Sequence, residues 1–443
     1  MRKPSRYGRN IISNISGNAV NSVIQLGLLL VLIRALDDTA YAAFLSASFL
    51  VGLLEMASDY GGRIWATREF SVSDSPRAVL IQSVNCKLFY TIVSAAILSL
   101  IPFNTLSNTA FVLSVLVACT QPSTDPFLWF LRGRERLDVE AIVVLLSRVL
   151  IVIGMIVATL AELGLPVLLV IWLVGNISRM LIESRLAAVR PVLQITARSS
   201  DEYSVAGSGP QQSLFATVAT IKHVFPVGTA FVLTSLFQRA TIFFLDVFAT
   251  AQDVKIYGTA FKIVNTSGFL ATGVFVSSFA MLAKAIDAND LNGVREVVRR
   301  KLLLVTMFFV PACVMGIFFS VPISDMFHSQ QFTDIARVMV LLMPGLYLSC
   351  INMGLKYTLN VYELNWQDVG SVVLGICVLG MVTVFHGTLT WCQAAALGWG
   401  LGEAALMSAR LGLLWSHRKH RGVPVGVIFG ATAAMMVMIA VSY

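Results

Sequence analysis

The chain has 443 residues, of which 57% are hydrophobic and only 13% charged. That charged share is about half the value for a soluble globular protein, and the mean hydropathy is +0.79. The composition excludes a soluble enzyme, a disordered chain and a disulfide scaffold, and it calls for a lipid bilayer as solvent. Lys and Arg number 32 against 24 Asp and Glu, a formal charge of +8. In a membrane chain this excess orients loops, and no nucleic acid is implied.

A membrane crossing needs about 20 apolar residues, and thirteen runs qualify. The first six are 11–35, 39–60, 78–101, 109–131, 139–161 and 165–187. The first carries Asn14, Asn18 and Asn21 and continues to Ala35, which makes it too long and too polar for a signal-peptide core. A polar stretch over 188–215, with Arg198-Ser-Ser-Asp-Glu and Gly207-Ser-Gly-Pro210, reads as a cytoplasmic linker. Six further runs follow at 217–247, 255–284, 302–323, 334–358, 367–386 and 390–415. A thirteenth, 424–442, comes after the basic cluster His417-Arg-Lys-His-Arg421. The expected fold is all-α and polytopic, with a six-helix bundle over 1–187, the linker 188–215, a second six-helix bundle over 216–420 and an additional helix in 421–443.

Charge supports this map. With a cytoplasmic N-terminus, the inside segments hold 23 Lys and Arg and the outside segments hold two, Arg34 and Lys255. The two halves also echo one another. Leu131-Arg-Gly-Arg-Glu135 and Leu359-Asn-Val-Tyr-Glu363 each end the fourth helix of a half, 228 residues apart. An even number of helices per half makes them parallel repeats, with a cavity expected between them.

Several polar residues fall inside apolar runs. Asn14, Asn18, Asn21 and Gln25 share one helical face. Four amides facing lipid would each cost several kcal/mol, so they face either a wet cavity or neighbouring helices as packing glue. Lys87 and Arg148 fall near mid-membrane, Arg179 in the inner third, and Arg239 and Lys262 in the outer third. Buried ionisable groups in membranes are functional candidates. Cations with no acids close in sequence suggest an anionic passenger such as phosphate or pyrophosphate, which guanidinium groups grip in bidentate fashion. The alternative is ion pairing, with Arg239 and Asp246, and Glu403 and Arg410, each at i, i+7. Glu55, Asp59, Asp125 and Glu403 are candidates for gating or coupling.

Gln121-Pro-Ser-Thr-Asp125-Pro126 breaks the fourth helix, and broken helices in transporters cluster at binding sites or hinges. Gly398 and Gly402 have the spacing of close helix packing. The six cysteines form neither a CxxC nor a Cys/His cluster, so no metal is expected. There is no GxxxxGK[ST] loop for ATP, no HExxH and no GxSxG, and no cofactor is implied.

Some segments resemble a known family. Ile33-Arg34-Ala-Leu-Asp-Asp-Thr-Ala-Tyr41 is similar to the join between helices 1 and 2 of polysaccharide flippases, and Asp59-Tyr-Gly61-Gly62 with Thr67-Arg68-Glu69 is similar to the element after helix 2. Phe237-Gln-Arg239 to Asp246, followed by Val254-Lys-Ile-Tyr257-Gly-Thr-Ala260, resembles the start of their second half. There Arg239 stands near the family's usual acid, and Lys255-Ile replaces its glycine region. The superfamily so implied is that of the multidrug/oligosaccharidyl-lipid/polysaccharide exporters. The O-antigen and exopolysaccharide branch fits better than the fourteen-helix lipid II flippases or the drug extruders with buried acids. The resemblance implies a multi-pass bacterial inner-membrane transporter, not an enzyme, which flips a polyprenyl-pyrophosphate-linked glycan. Its partners would be membrane lipid and polysaccharide polymerase and export machinery. A cation antiporter and a membrane-embedded polymerase or acyltransferase are the alternatives.

Overall fold

The computed structural model describes residues 6–60, 62, 66, 70, 76–100, 104–120, 122–133, 137–195, 210–268, 290–326, 330–362, 364–385 and 387–416, with 426, 430, 432 and 433. Most of the thirteenth run and the middle of the linker lie outside these residues. The protein is all-α. Its helices are α1 (Arg6–Ala35), α2 (Asp38–Asp59), α3 (Pro76–Leu98), α4 (Asn108–Thr120), α5 (Asp125–Gly133), α6 (Leu137–Leu160) and α7 (Leu165–Ile195). After them come α8 (Pro210–Phe248), α9 (Ala251–Thr266), α10 (Leu291–Met326), α11 (Gln330–Val361), α12 (Asn365–Val384) and α13 (Trp391–Ser416).

Two compact units form, Met1–Ser235 and Leu236–Tyr443. The division falls inside α8. In the first unit α6 packs on α1 and α7, α4 on α7, and α2 on α3 and α4. In the second, α11 packs on α9, α10 and α13, and α12 on α13. The internal echo extends to helix boundaries, because α6 and α12 begin 228 residues apart, at Leu137 and Asn365.

Among the described residues, eight helices are long and apolar enough to cross a membrane. The fourth expected span is not one helix. α4 stops at Thr120, a 3-10 turn runs over Pro122–Thr124, and α5 starts at Asp125. Pro122 and Pro126 lack the N–H groups that would carry the helical ladder through. By contrast, α11 continues through Pro344 without a break.

Side-chain phase separates lipid from protein. On α6 the exposed residues Ile142, Leu146, Leu150, Ile153 and Val157 follow spacings of 4, 4, 3 and 4 and form the lipid stripe. Ile151, Val152, Met155 and Ala158 occupy the buried side. α13 is more polar, with Gln393, Glu403, Ser408 and Arg410, so its polar groups must be met by protein. Small residues make that approach possible. A Cβ at Gly402 would lie 2.8 Å from Cε2 of Phe237 and 2.9 Å from the Gly375 carbonyl oxygen, and one at Gly398 would lie 2.9 Å from Oγ1 of Thr383. We therefore expect Gly402→Val to force α13 away from α12 and to cost about 1–3 kcal/mol, read as a lower midpoint of thermal unfolding in detergent.

Candidate functional site

The first unit brings a group of charges together from α2, α3, α5, α6 and α7. Three cations, Lys87, Arg148 and Arg179, meet four acids, Glu55, Asp125, Glu140 and Glu183. Lys87 on α3 is buried and forms a 2.7 Å ion pair with Oδ2 of Asp125. Its ammonium also lies 5.2 Å from the centre of the Trp129 ring. The break in the fourth span creates this arrangement. It places Asp125 in the first turn of α5, where the exposed N–H groups and the helix dipole favour a carboxylate.

Arg179 pairs one turn along α7 with Glu183, donating Nε to Oε1 at 2.8 Å. Glu183 is fully buried, and its charge also interacts with those of Asp125 and Glu140. Arg148 differs from both other cations. It is half-buried on the side of α6 that carries Ile151, Val152 and Met155, away from the lipid stripe. Arg179 and Glu55 act on it electrostatically, yet no carboxylate among the described residues lies within ion-pair distance. Two guanidinium groups, one of them without a bound carboxylate among the described residues, therefore face the same region.

On α1, Asn21 and Gln25 lie on the face that continues into the buried Leu28, Leu29 and Leu32, opposite Val23 and Leu30. Asn21 is half-buried with Oδ1 lacking a hydrogen-bond partner among the described residues, and Gln25 is exposed. α1 packs on α6, the helix of Arg148. The side chains of Asn14 and Asn18 lie outside the described residues.

The second unit holds a closed network. Arg410 on α13 donates Nε to Oδ1 and Nη2 to Oδ2 of Asp368 on α12, at 2.6 and 3.0 Å, and Nη1 to the Asn352 carbonyl on α11 at 2.9 Å. Asn352 donates Nδ2 to the backbone carbonyl and Oε2 of Glu403 at 2.9 and 2.7 Å. Lys356, one turn on from Asn352, interacts with Arg410 and Asp368. All three helices are tied together by this bidentate geometry.

A clasp joins α2 to α8 within the first unit. Tyr60 caps α2 in the left-handed region, at φ 36 and ψ 41. Thr229 spends its hydroxyl proton on the Phe225 carbonyl, so Tyr60 donates its hydroxyl to Thr229 Oγ1, at 2.6 Å. The ring stacks on Tyr90 at 4.5 Å. A left-handed Tyr costs about 1–2 kcal/mol; a hydrogen bond of about 1 kcal/mol and a stack of about 0.5–1.5 kcal/mol offset it. The approach requires glycine on α8, because a Cβ at Gly228 would lie 2.2 Å from the Tyr60 ring and 2.6 Å from its backbone oxygen. We expect Tyr60→Phe to cost about 1 kcal/mol and Gly228→Ala to cost more, both read as shifts in the thermal midpoint.

This architecture recurs in solved transporters. The multidrug transporter DinF-BH, in complex with R6G, matches with a TM-score of 0.69 and 14% identity, covering 97% of each chain. The fold is that of the MATE transporters. A lipid II flippase, MurJ in an inward closed conformation, matches at 0.63 and 14% identity over 98% of this chain and 91% of its own. A point variant of the Vibrio cholerae MATE transporter VcmN matches at 0.63 and 13% identity over 96% of this chain and 98% of its own. The MatE family model matches residues 226–386, from α8 to the end of α12. No curated protein sequence matches the chain.

Within the MATE fold the expected residues separate. Lys87, Arg148 and Arg179 come together with Glu55 and Asp125. Arg239 and Lys262 are half-buried in the second unit, each with interactions of its own. Asp59 is buried at the end of α2. Two expectations are corrected. The cations do not lack nearby acids: Lys87 is held by Asp125, and Arg179 by Glu183. Arg410 is claimed by Asp368 in the bidentate pair, while Glu403 turns to Asn352. Glu183 was missed although its i, i+4 spacing from Arg179 is a recognised helical pair. Glu140, Asn352, Lys356 and Asp368 were also missed, since nothing local marks their partners.

Proposed function

We propose that the protein is a flippase carrying a polyprenyl-pyrophosphate-linked oligosaccharide from the cytoplasmic to the outer leaflet of the bacterial inner membrane, by alternating access. The observation that carries this reading is Arg148: a guanidinium on the protein side of a membrane helix, next to Arg179, with no ion-paired carboxylate among the described residues. A cation held that way is costly unless an anion completes it. Arg148 and the outer guanidinium nitrogens of Arg179 form the pyrophosphate grip. Lys87 belongs to the scaffold, because Asp125 and Trp129 already satisfy it. Asn14, Asn18, Asn21 and Gln25 bind sugar hydroxyls, and Arg239 and Lys262 receive the headgroup on the outer side.

The 23 to 2 distribution of Lys and Arg supports a cytoplasmic N-terminus. The partners on this reading are membrane lipid and the polymerase and export machinery that consume the flipped glycan. The deciding measurement is surface polysaccharide in cells carrying Arg148→Ala at equal protein level; unchanged export would remove the anion grip.

A second reading is a drug or cation antiporter. The presence of Glu55, Asp125, Glu140 and Glu183 in the charge cluster favours it, as does the likeness to DinF-BH. Uptake of a cationic dye by proteoliposomes separates the two readings.

A further inference from the structure

The buried face of α7 carries Trp172, Asn176, Arg179 and Glu183, at spacings of 4, 3 and 4. Asn176 is 3% exposed, and its Nδ2 has no hydrogen-bond partner among the described residues. A buried donor left unpaired is costly and calls for an acceptor. The second unit shows what closes the same place. Trp172 and Asn176 have counterparts on α13 227 positions on, Trp399 and Glu403, close to the 228 that separates the starts of α6 and α12. Glu403 is met from α11 by Asn352, which donates Nδ2 to Oε2 at 2.7 Å. The residue 227 positions before Asn352 is Asp125, and Lys87 holds it at 2.7 Å. The partner that closes the second unit is thus engaged elsewhere in the first. The indole N–H groups of Trp172 and Trp399 both lack partners among the described residues, so it is the asparagine that tells the two units apart.

Packing fixes what lies beside it. A Cβ at Gly175 would run into the Ile151 side chain, and one at Gly154 would lie 2.9 Å from Cγ2 of Ile171. These contacts set α6 and α7 side by side in opposite directions. One turn on, the same register brings Arg148 level with residues 177–178, between Asn176 and Arg179, and the two arginines act on one another electrostatically. At 1.5 Å per residue, Asn176 and Arg179 stand about 4.5 Å apart along the α7 axis.

We propose that Asn176 is a third substrate contact, which donates Nδ2 to an oxygen of the anionic head and fits the grip to a diphosphate rather than a monophosphate. This rests on the anion grip of Arg148 and Arg179 described above. Donors spread over that length reach oxygens on two phosphorus atoms, whereas a single phosphate is already covered by the two guanidinium groups. The amide is uncharged, so it adds a directed hydrogen bond without adding to the repulsion between the arginines.

The test uses the full-length protein in nanodiscs, with farnesyl pyrophosphate and farnesyl monophosphate as probes at pH 8. Asn176→Leu keeps the volume and removes the amide. Its affinity for the pyrophosphate should fall at least about tenfold, the worth of one hydrogen bond to a charged group. Its affinity for the monophosphate should change by less than about threefold, because no contact is lost. The thermal midpoint without probe should stay at or above that of the wild type, since an apolar side chain of that shape replaces an unpaired buried donor. Asn176→Ala, which cannot overpack, should show the same split between the probes. Unchanged pyrophosphate affinity in both variants overturns the role of Asn176 and leaves the grip intact. Equal losses on the two probes overturn the selection for a diphosphate. A wild type that binds neither probe overturns the grip itself, and the Asn176 contact with it.

Discussion

Arg148→Ala is expected to weaken pyrophosphate binding by about 2–3 kcal/mol, roughly 30- to 150-fold, the worth of a charge-assisted contact at a partly desolvated site. Surface polysaccharide should fall to background at unchanged protein level. Because Arg148 has no ion-paired carboxylate among the described residues, its removal leaves no buried acid stranded there, and the thermal midpoint should move little. Lys87→Ala should give the reverse pattern. It deprives Asp125 of its 2.7 Å partner and so should lower stability before it touches affinity. Arg148→Lys should recover part of the export, since an ammonium keeps the charge but not the planar fork. Equal loss of fold and function in Arg148→Ala would contradict this division.

Disruption of the Arg410–Asp368 pair is expected to be the most damaging change in the second unit. Both side chains are almost fully buried, and Asn352 and Glu403 depend on the same geometry. Asp368→Ala leaves a buried guanidinium unmatched, and such losses run to about 3–5 kcal/mol. The variant should fail to accumulate in the membrane or should melt far below the wild type. The double change Arg410→Met with Asp368→Leu removes both charges and should be milder than either single loss, because an apolar pair of similar volume avoids the desolvation penalty. Melting of the wild type, Arg410→Met, Asp368→Leu and the double variant in detergent checks this; a double change as damaging as the sum of the singles would show that the pair was not coupled.

Much of the fold is legible in the sequence because a bilayer leaves few alternatives. Apolar runs of the required length become helices, the two prolines near Asp125 interrupt one of them, and glycines four apart on α13 mark close packing. These are local signals. The ion pairs were harder to read because their partners lie on different helices. Lys87 and Asp125 are 38 positions apart (87 and 125), and their meeting depends on the register of α3 against the broken span. Asp368 and Arg410 depend likewise on how α12 slides along α13. Pairs at helical spacing within one run are legible in principle, as with Arg179 and Glu183; yet the same rule misleads for Glu403 and Arg410, where a better-placed acid from the next helix wins. The sequence put these cations inside apolar runs, and those runs are helices, but it carried no information on which of them was already neutralised.

The Tyr60 clasp bears on how the polypeptide can be divided. α8 runs without interruption from Pro210 to Phe248, and its Gly228–Thr229 step is held by Tyr60 at the end of α2, whose ring stacks on Tyr90. A backbone cut ahead of Pro210 would leave that step on the second fragment, and a cut beyond Ser235 would leave it on the first. Co-expressed fragments should therefore reassemble better from the earlier nick, where the later fragment still carries its own handle for recognising the earlier one.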